Sequence, residues 1–182
     1  MRLVSFLLFI CLVMAGCNSK RGDEASSFSS SKPVFEINGF TFAIEIPDNW
    51  STIEDADSLN AVAFREQCPD DKTFCANLVV RTMPNDSLLH LDDIANIYRY
   101  ELESTYAQME VVAVSDAVIG GLDSKVIDYK LFENQTNLGS TTVFMVKGST
   151  IVGFYFAAEN ASDGGYLEQR KVFAEMLNSL EL

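Results

Sequence analysis

Four apolar segments separated by short turns occupy residues 111–158, and this run limits the possible folds more than any other feature. The segments are residues 111–119, 125–132, 140–147 and 150–158, and glycines mark two of the three turns. Segments joined by such short turns fold back as antiparallel neighbours. The last segment is apolar at nearly every position, which is typical of a strand covered on both faces. The sequence therefore predicts an antiparallel sheet with residues 150–158 in its middle.

Two segments with apolar residues at helical spacing lie on either side of this run. The first is predicted to be a helix over residues 88–108, and the second follows a break at residues 163–165. Their apolar stripes consist of Leu91, Ile94, Tyr98, Leu102 and Met109 in the first, and Tyr166, Phe173, Leu177 and Leu180 in the second. Two helices can cover the two faces of one sheet. We therefore expect an α+β fold, an αβα sandwich whose largely antiparallel sheet is flanked by two main helices.

An additional hairpin is predicted near the start of the domain. Asn38 and Gly39 stand between residues 35–37 and the alternating apolar run 40–46, and such an Asn-Gly pair is a strong hairpin signal. Trp50 follows the end of this run, and a single tryptophan there is expected to fill the core.

Cys68 and Cys75 flank a polar loop between two strand-like segments, residues 60–66 and 76–82. Paired strands bring facing Cα atoms within disulfide range, so we expect a disulfide that closes a hairpin. A redox or metal-binding dithiol is the alternative. Redox pairs normally have two intervening residues, and these cysteines have no nearby histidine to complete a zinc site.

The N-terminus has the plan of an export signal. Arg2 precedes a short apolar run, and polar residues from Asn18 onward arrive too early for a membrane-spanning helix. Residues 14–17 resemble the bacterial lipobox, with Met14 at the usual leucine position. The resemblance implies cleavage before Cys17 and lipid on its thiol. In Gram-negative lipoproteins an aspartate after the lipidated cysteine retains the protein at the inner membrane. Asn18 stands at that position here, so for a Gram-negative source the expected location is the outer membrane, facing the periplasm.

Three regions follow from these features: a signal peptide at residues 1–16, a lipidated tether at 17–33 and one domain at 34–182. Serine-rich residues 19–33 have few bulky apolar side chains and are expected to be flexible. The formal net charge of the whole chain is −13, and cleavage removes Arg2 to leave −14. A surface with this much negative charge repels the phosphate groups of nucleic acid, which argues against nucleic-acid binding.

The domain resembles the PsbP-like group, whose fold is shared with a Ran-binding nuclear import factor and several bacterial lipoproteins. The likeness covers about residues 35–182. It rests on the strand 40–47 with Trp50 behind it, on residues 120–122 before a strand, and on the closing segment 173–180. The resemblance implies a sandwich that serves mainly as a binding or assembly module, and it supplies no catalytic residue.

No motif for catalysis, a cofactor or a metal site is found. The sequence lacks the usual hydrolase, zinc-protease and nucleotide-binding patterns, and His90 is the one histidine. Residues 54–60 begin like a calcium loop, but Leu59 and Asn60 break the pattern. We therefore expect a protein that is not an enzyme, has no cofactor and binds an envelope protein partner. The alternatives are a carrier of a small or lipidic ligand and, less favoured, a hydrolase using carboxylates alone.

Overall fold

The computed structural model describes residues 27–28, 31–53, 61–68, 74–133, 136–160 and 165–182. Two helices and nine strands make up this part of the chain. In chain order they are β1 (Val34–Ile37), β2 (Phe40–Ala43), β3 (Trp50–Thr52), β4 (Ala61–Glu66), β5 (Asn77–Pro84), α1 (Leu91–Thr105), β6 (Met109–Ile119), β7 (Leu122–Glu133), β8 (Thr136–Lys147), β9 (Thr150–Glu159) and α2 (Gly165–Asn178).

Seven of the strands form one sheet in the order β3-β4-β5-β9-β8-β7-β6, and every described pairing in it is antiparallel. The predicted α+β fold is confirmed. Strand β9 occupies the fourth of the seven positions, in the middle of the sheet as its two-sided apolar pattern indicates. The four strands β6 to β9 lie side by side, each next to the strand that follows it in the sequence, as the run of short turns predicts.

The first hairpin forms a separate two-stranded sheet of β1 and β2. Asn38 and Gly39 both have positive φ, 51° and 78°, as a tight hairpin turn requires. The predicted strand 40–46 ends earlier in the structure, at Ala43. There the backbone N–H and C=O of Ala43 pair with Glu181 at the end of the chain, at 2.9 Å each.

Each face of the large sheet carries its own apolar core. Helix α1 packs on one face, where Tyr98 lies edge-on to Phe144 with ring centroids 5.1 Å apart. Helix α2 and the β1–β2 hairpin cover the other face, where Phe156 stacks on Phe173 at 4.8 Å. Trp50 is buried in this second core, as predicted. These two layers complete the sandwich.

Helix α1 is shorter than the predicted helix 88–108. It begins at Leu91, because Asn85 first bonds the N–H of Leu89 and holds the chain in a turn. It ends at Thr105, since the next residue is extended. Met109 was expected on the helix stripe, and this expectation was wrong: it is the first residue of β6. The valine-rich segment that follows favours a strand and extends the sheet backward to Met109.

The predicted disulfide between Cys68 and Cys75 is present, with Cα atoms 5.6 Å apart. It joins the end of β4 to the start of β5, close to the predicted strand boundaries.

The last part of the expected tether lies against the domain. Phe28 forms an isolated bridge with Pro47, and the N–H of Asp48 donates to the C=O of Ser27 at 2.9 Å. Lys32 is ion-paired with Glu181 at 2.5 Å. Cys17, the signal peptide and the first part of the tether lie outside the described residues.

Candidate binding edge

Strand β6 forms one edge of the large sheet, and most of its residues are exposed. It pairs only with β7 among the residues that the structure describes. The strand has 11 residues, whereas β3 at the opposite edge has three. An edge strand presents a row of backbone N–H and C=O groups that another strand can pair with, and most proteins keep such edges short. The long β6 edge is therefore the unusual feature of this sheet.

The turn after β6 decides which of its backbone groups point outward. Gly120 and Gly121 have φ of 57° and 80°, and Ile119 and Leu122 pair across the turn. In a two-residue hairpin the residues beside the turn exchange both hydrogen bonds, and bonded and unbonded pairs then alternate. The N–H and C=O groups of Val114, Asp116 and Val118 therefore point away from β7.

Two of these three residues expose apolar side chains. Val114 is 44% and Val118 is 71% exposed. A register shift between Val111 and Ala113 interrupts the ladder with β7, and beyond it residues 113–119 pair without a break. The regular, open part of the edge is thus its C-terminal half, and we call Val114, Asp116 and Val118 the β6 edge.

A groove of about 460 Å³ adjoins the β6 edge, between the start of α1 and the β6–β7 hairpin. Its lining residues are Leu91, Asp92, Asp116, Ala117, Val118, Asp123, Ser124 and Lys125. Lys125 is the cation among them: its Nζ lies 2.6 Å from Asp92 Oδ1 and 2.5 Å from Asp116 Oδ1. These hydrogen bonds raise the pKa of Lys125. The lysine thereby links helix α1 to the edge strand.

The groove is negatively charged even with Lys125 in place. Three carboxylates, those of Asp92, Asp116 and Asp123, line it together with this single lysine. The side chain of Lys125 is only 12% exposed, whereas Asp92 and Asp116 are 78% and 84% exposed. Solvent or a partner therefore meets the carboxylates rather than the ammonium.

A second groove, of about 500 Å³, lies by the β1–β2 hairpin. Its lining includes Phe40, Lys147 and Glu181, and the Lys147 ammonium lies 5.7 Å from the centre of the Phe40 ring. Strand β2 lines this groove, and Ala43 at its end is already paired with Glu181.

Two clusters of buried polar groups in the sandwich are held together by hydrogen bonds. Asp128 accepts two hydrogen bonds from Arg170, at 2.7 and 3.1 Å, and one from Thr141 at 2.7 Å. On the other face, the hydroxyl groups of Tyr98 and Tyr129 lie 2.9 Å apart. Sequence reasoning found neither cluster, because their members come from separate elements with no common motif. Both clusters hold a helix on the sheet.

The residues singled out for chemistry are scattered. His90 is exposed just before α1, where its backbone N–H donates to Asp93 Oδ2 at 3.2 Å. The calcium-like segment 54–60 lies outside the described residues. Within the part that is described, no three histidine, cysteine or acidic side chains come together as metal ligands. No described helix has both the length and the apolar character needed to cross a bilayer.

Comparison of the sequence with protein-family models and with curated proteins gives no match. Solved structures do match. A cyanobacterial PsbP from Synechocystis has a TM-score of 0.60 at 13% identity, and the match covers 91% of this chain and 98% of that protein.

LpqN of Mycobacterium tuberculosis, a protein involved in cell envelope biogenesis, has a TM-score of 0.58 at 10% identity. The match covers 77% of this chain and 82% of that protein. The Ran-binding protein Mog1p of Saccharomyces cerevisiae has a TM-score of 0.57 at 11% identity, and the match covers 84% of this chain and 96% of that protein. At such identities the likeness concerns the fold alone, and the chain has the PsbP-like fold that Mog1p shares.

Proposed function

We propose that this protein is an envelope lipoprotein that works as a non-catalytic protein-binding or assembly module, and that it binds its partner at the β6 edge. The observation that carries the proposal is the edge itself: backbone groups of Val114, Asp116 and Val118 point outward beside two exposed valines. Exposed apolar residues next to free strand groups are typical of a surface that becomes covered.

The location rests on the sequence. The signal, the lipobox ending in Cys17 and the serine-rich segment behind it fit a protein held by lipid at the outer membrane, facing the periplasm. Two or more acyl chains are needed for a durable anchor, which a bacterial lipoprotein supplies. LpqN, which has the same fold, is involved in cell envelope biogenesis, and this supports an envelope role.

The two alternative functions have less support. A carboxylate hydrolase needs acids with a free, positioned carboxyl group, but Asp92 and Asp116 share Lys125, and Asp128 is held by Arg170. A carrier was expected to have an apolar cavity between sheet and helix. Between the sheet and α2, the stacked rings of Phe156 and Phe173 occupy this space.

Site-specific photo-crosslinking in intact cells tests the binding function. A photoreactive residue replaces Val118 on the β6 edge, and the matched control replaces Leu167 on α2, which is 61% exposed. We expect a discrete protein adduct from position 118 and none from position 167. Equal yields at both positions, or no adduct at either, would count against the proposed surface.

Palmitate labelling tests the anchor separately. Wild-type protein should incorporate label and fractionate with membranes, and the Cys17→Ser protein should do neither. An unlabelled wild type that fractionates like the variant would refute lipid anchoring.

A further inference from the structure

We infer that the occupant of the β6 edge is an extended, basic segment of another protein, which adds to the sheet as an eighth strand next to β6. This inference rests on the proposed function and specifies the chemistry of the partner. The segment has apolar side chains at two alternate positions and a lysine or arginine at the position between them.

The backbone sets the conformation of the partner. Outward N–H and C=O groups occur at every second residue, Val114, Asp116 and Val118, about 6.8 Å apart in an extended strand. Only another extended chain presents groups at the same spacing, so strand addition satisfies all of them. The uninterrupted pairing of residues 113–119 with β7 keeps this row regular.

The side chains set the pattern of the partner. Val118 lies opposite Asp123 on β7 and Asp116 lies opposite Lys125, so these four side chains share the face that α1 covers. On an added strand, residues opposite Val114 and Val118 meet apolar surface. The residue opposite Asp116 meets a carboxylate at the cross-strand distance of about 5 Å. An apolar, basic, apolar pattern at alternate positions therefore complements the edge.

Charge distinguishes this partner from a second copy of the chain. Two β6 strands in antiparallel pairing bring Asp116 opposite its own counterpart or, shifted by one register step, diagonal to it at about 7 Å. The groove beside each strand already holds three carboxylates against one ammonium, and the whole chain carries a net charge of −13. Like charges this close are destabilising, whereas a cationic segment is attracted.

Peptide titration of residues 17–182 with Cys17→Ser, which lack both the predicted signal peptide and the lipid, tests the inference. The probe is a fluorescent peptide, blocked at both ends, that carries valine, lysine and valine at every second position and threonine at the positions between them. One control peptide has the same sequence with every second amide N-methylated, which removes the donors of one strand edge and keeps the charge. Another replaces lysine by glutamate. We expect saturable binding of the first peptide alone, measured by anisotropy.

Protein variants locate the binding. Val118→Pro removes an outward N–H and leaves the bond pattern with β7 intact, since proline is tolerated where the N–H of an edge strand faces solvent. We expect about tenfold weaker binding with unchanged thermal stability, as befits one lost hydrogen bond and its side-chain contact. Asp116→Asn should weaken binding about threefold, and the difference should vanish near 1 M salt. Glu175→Gln, an exposed site on α2, is the matched control and should bind like wild type.

Several results would overturn the inference. Equal binding of the N-methylated peptide would mean that the backbone is not used, and equal binding of the glutamate peptide would remove the charge argument. Dimers that Val118→Pro dissociates in sedimentation would identify the occupant as a second copy. If position 118 crosslinks in cells to a segment without basic residues, the binding function stands and this inference fails. If no crosslink forms at position 118, both fail.

Discussion

Removal of the Cys68–Cys75 disulfide gives a stability change that can be calculated from the structure. The bond closes a loop with a sequence separation of 7, and it joins two strands that are already paired. In the chain-entropy relation so short a loop restricts the unfolded chain by about 8 cal/mol/K, which is about 2.4 kcal/mol at room temperature. We expect the double variant Cys68→Ser, Cys75→Ser to lose about this much free energy of unfolding.

Urea unfolding followed by the fluorescence of Trp50 provides the assay, because this single tryptophan is buried in the core beside β4. The same loss should lower the melting temperature by about 5–10 °C for a domain of this size. Wild-type protein under reducing conditions should match the variant, since both lack only the bond.

Two results would refute this reasoning. A loss below about 0.5 kcal/mol would mean that the bond does not restrict the unfolded chain as the entropy relation requires. A variant that does not fold at all would mean that β4 and β5 depend on the bond, although five residue pairs already join them.

Two further predictions concern packing and pH. Gly139→Ala should cost about 1–3 kcal/mol, because an added Cβ lies 2.3 Å from the Tyr166 ring. Urea unfolding checks this, and a loss under about 0.5 kcal/mol would contradict it. Burial raises the pKa of Tyr98 and Tyr129 in the folded protein, whereas the same tyrosines ionise at about pH 10 in the unfolded chain. Their contribution is therefore complete below that pH, and stability should fall as the pH rises above it. Melting temperature and tyrosinate absorbance measured against pH test this; ionisation of all tyrosines near pH 10 with the fold intact would contradict it.

Local signals in the sequence predicted most of the strands and turns. Positive φ at Asn38, Gly39, Gly120 and Gly121 follows from residue types that tolerate it, so the hairpins could be placed before the structure was known. The boundary between α1 and β6 could not be placed from the sequence. Met109 continues the helical stripe by spacing, but pairing of β6 with β7 determines its conformation, and that contact is between distant residues.

The candidate site was less predictable than the fold. The strand at residues 111–119 lies at the edge of the sheet because of the strand order. Neither hydrophobic periodicity nor turn length specifies that order. The groove depends on the ion pairs of Lys125 with Asp92 and Asp116. These three residues come from three separate elements, β7, α1 and β6. A carboxylate such as Asp92 is favoured in the first turn of a helix by the helix dipole, so its position in the sequence does not identify Lys125 as a partner.

Under the proposed lipid anchor at Cys17, the contact between Phe28 and Pro47 limits how far the domain can lie from the membrane. If lipid holds Cys17, only the chain between residues 17 and 27 separates the anchor from the fixed point beside Asp48. At about 3.5 Å per residue, its greatest possible span is about 35 Å, whatever its conformation.

That fixed point lies just before β3, at the sheet edge opposite β6. Six interstrand spacings of about 4.8 Å, or about 29 Å, separate the two edges. The N-terminal segment therefore meets the sheet at one side, and among the described residues the β6 edge is open at the other.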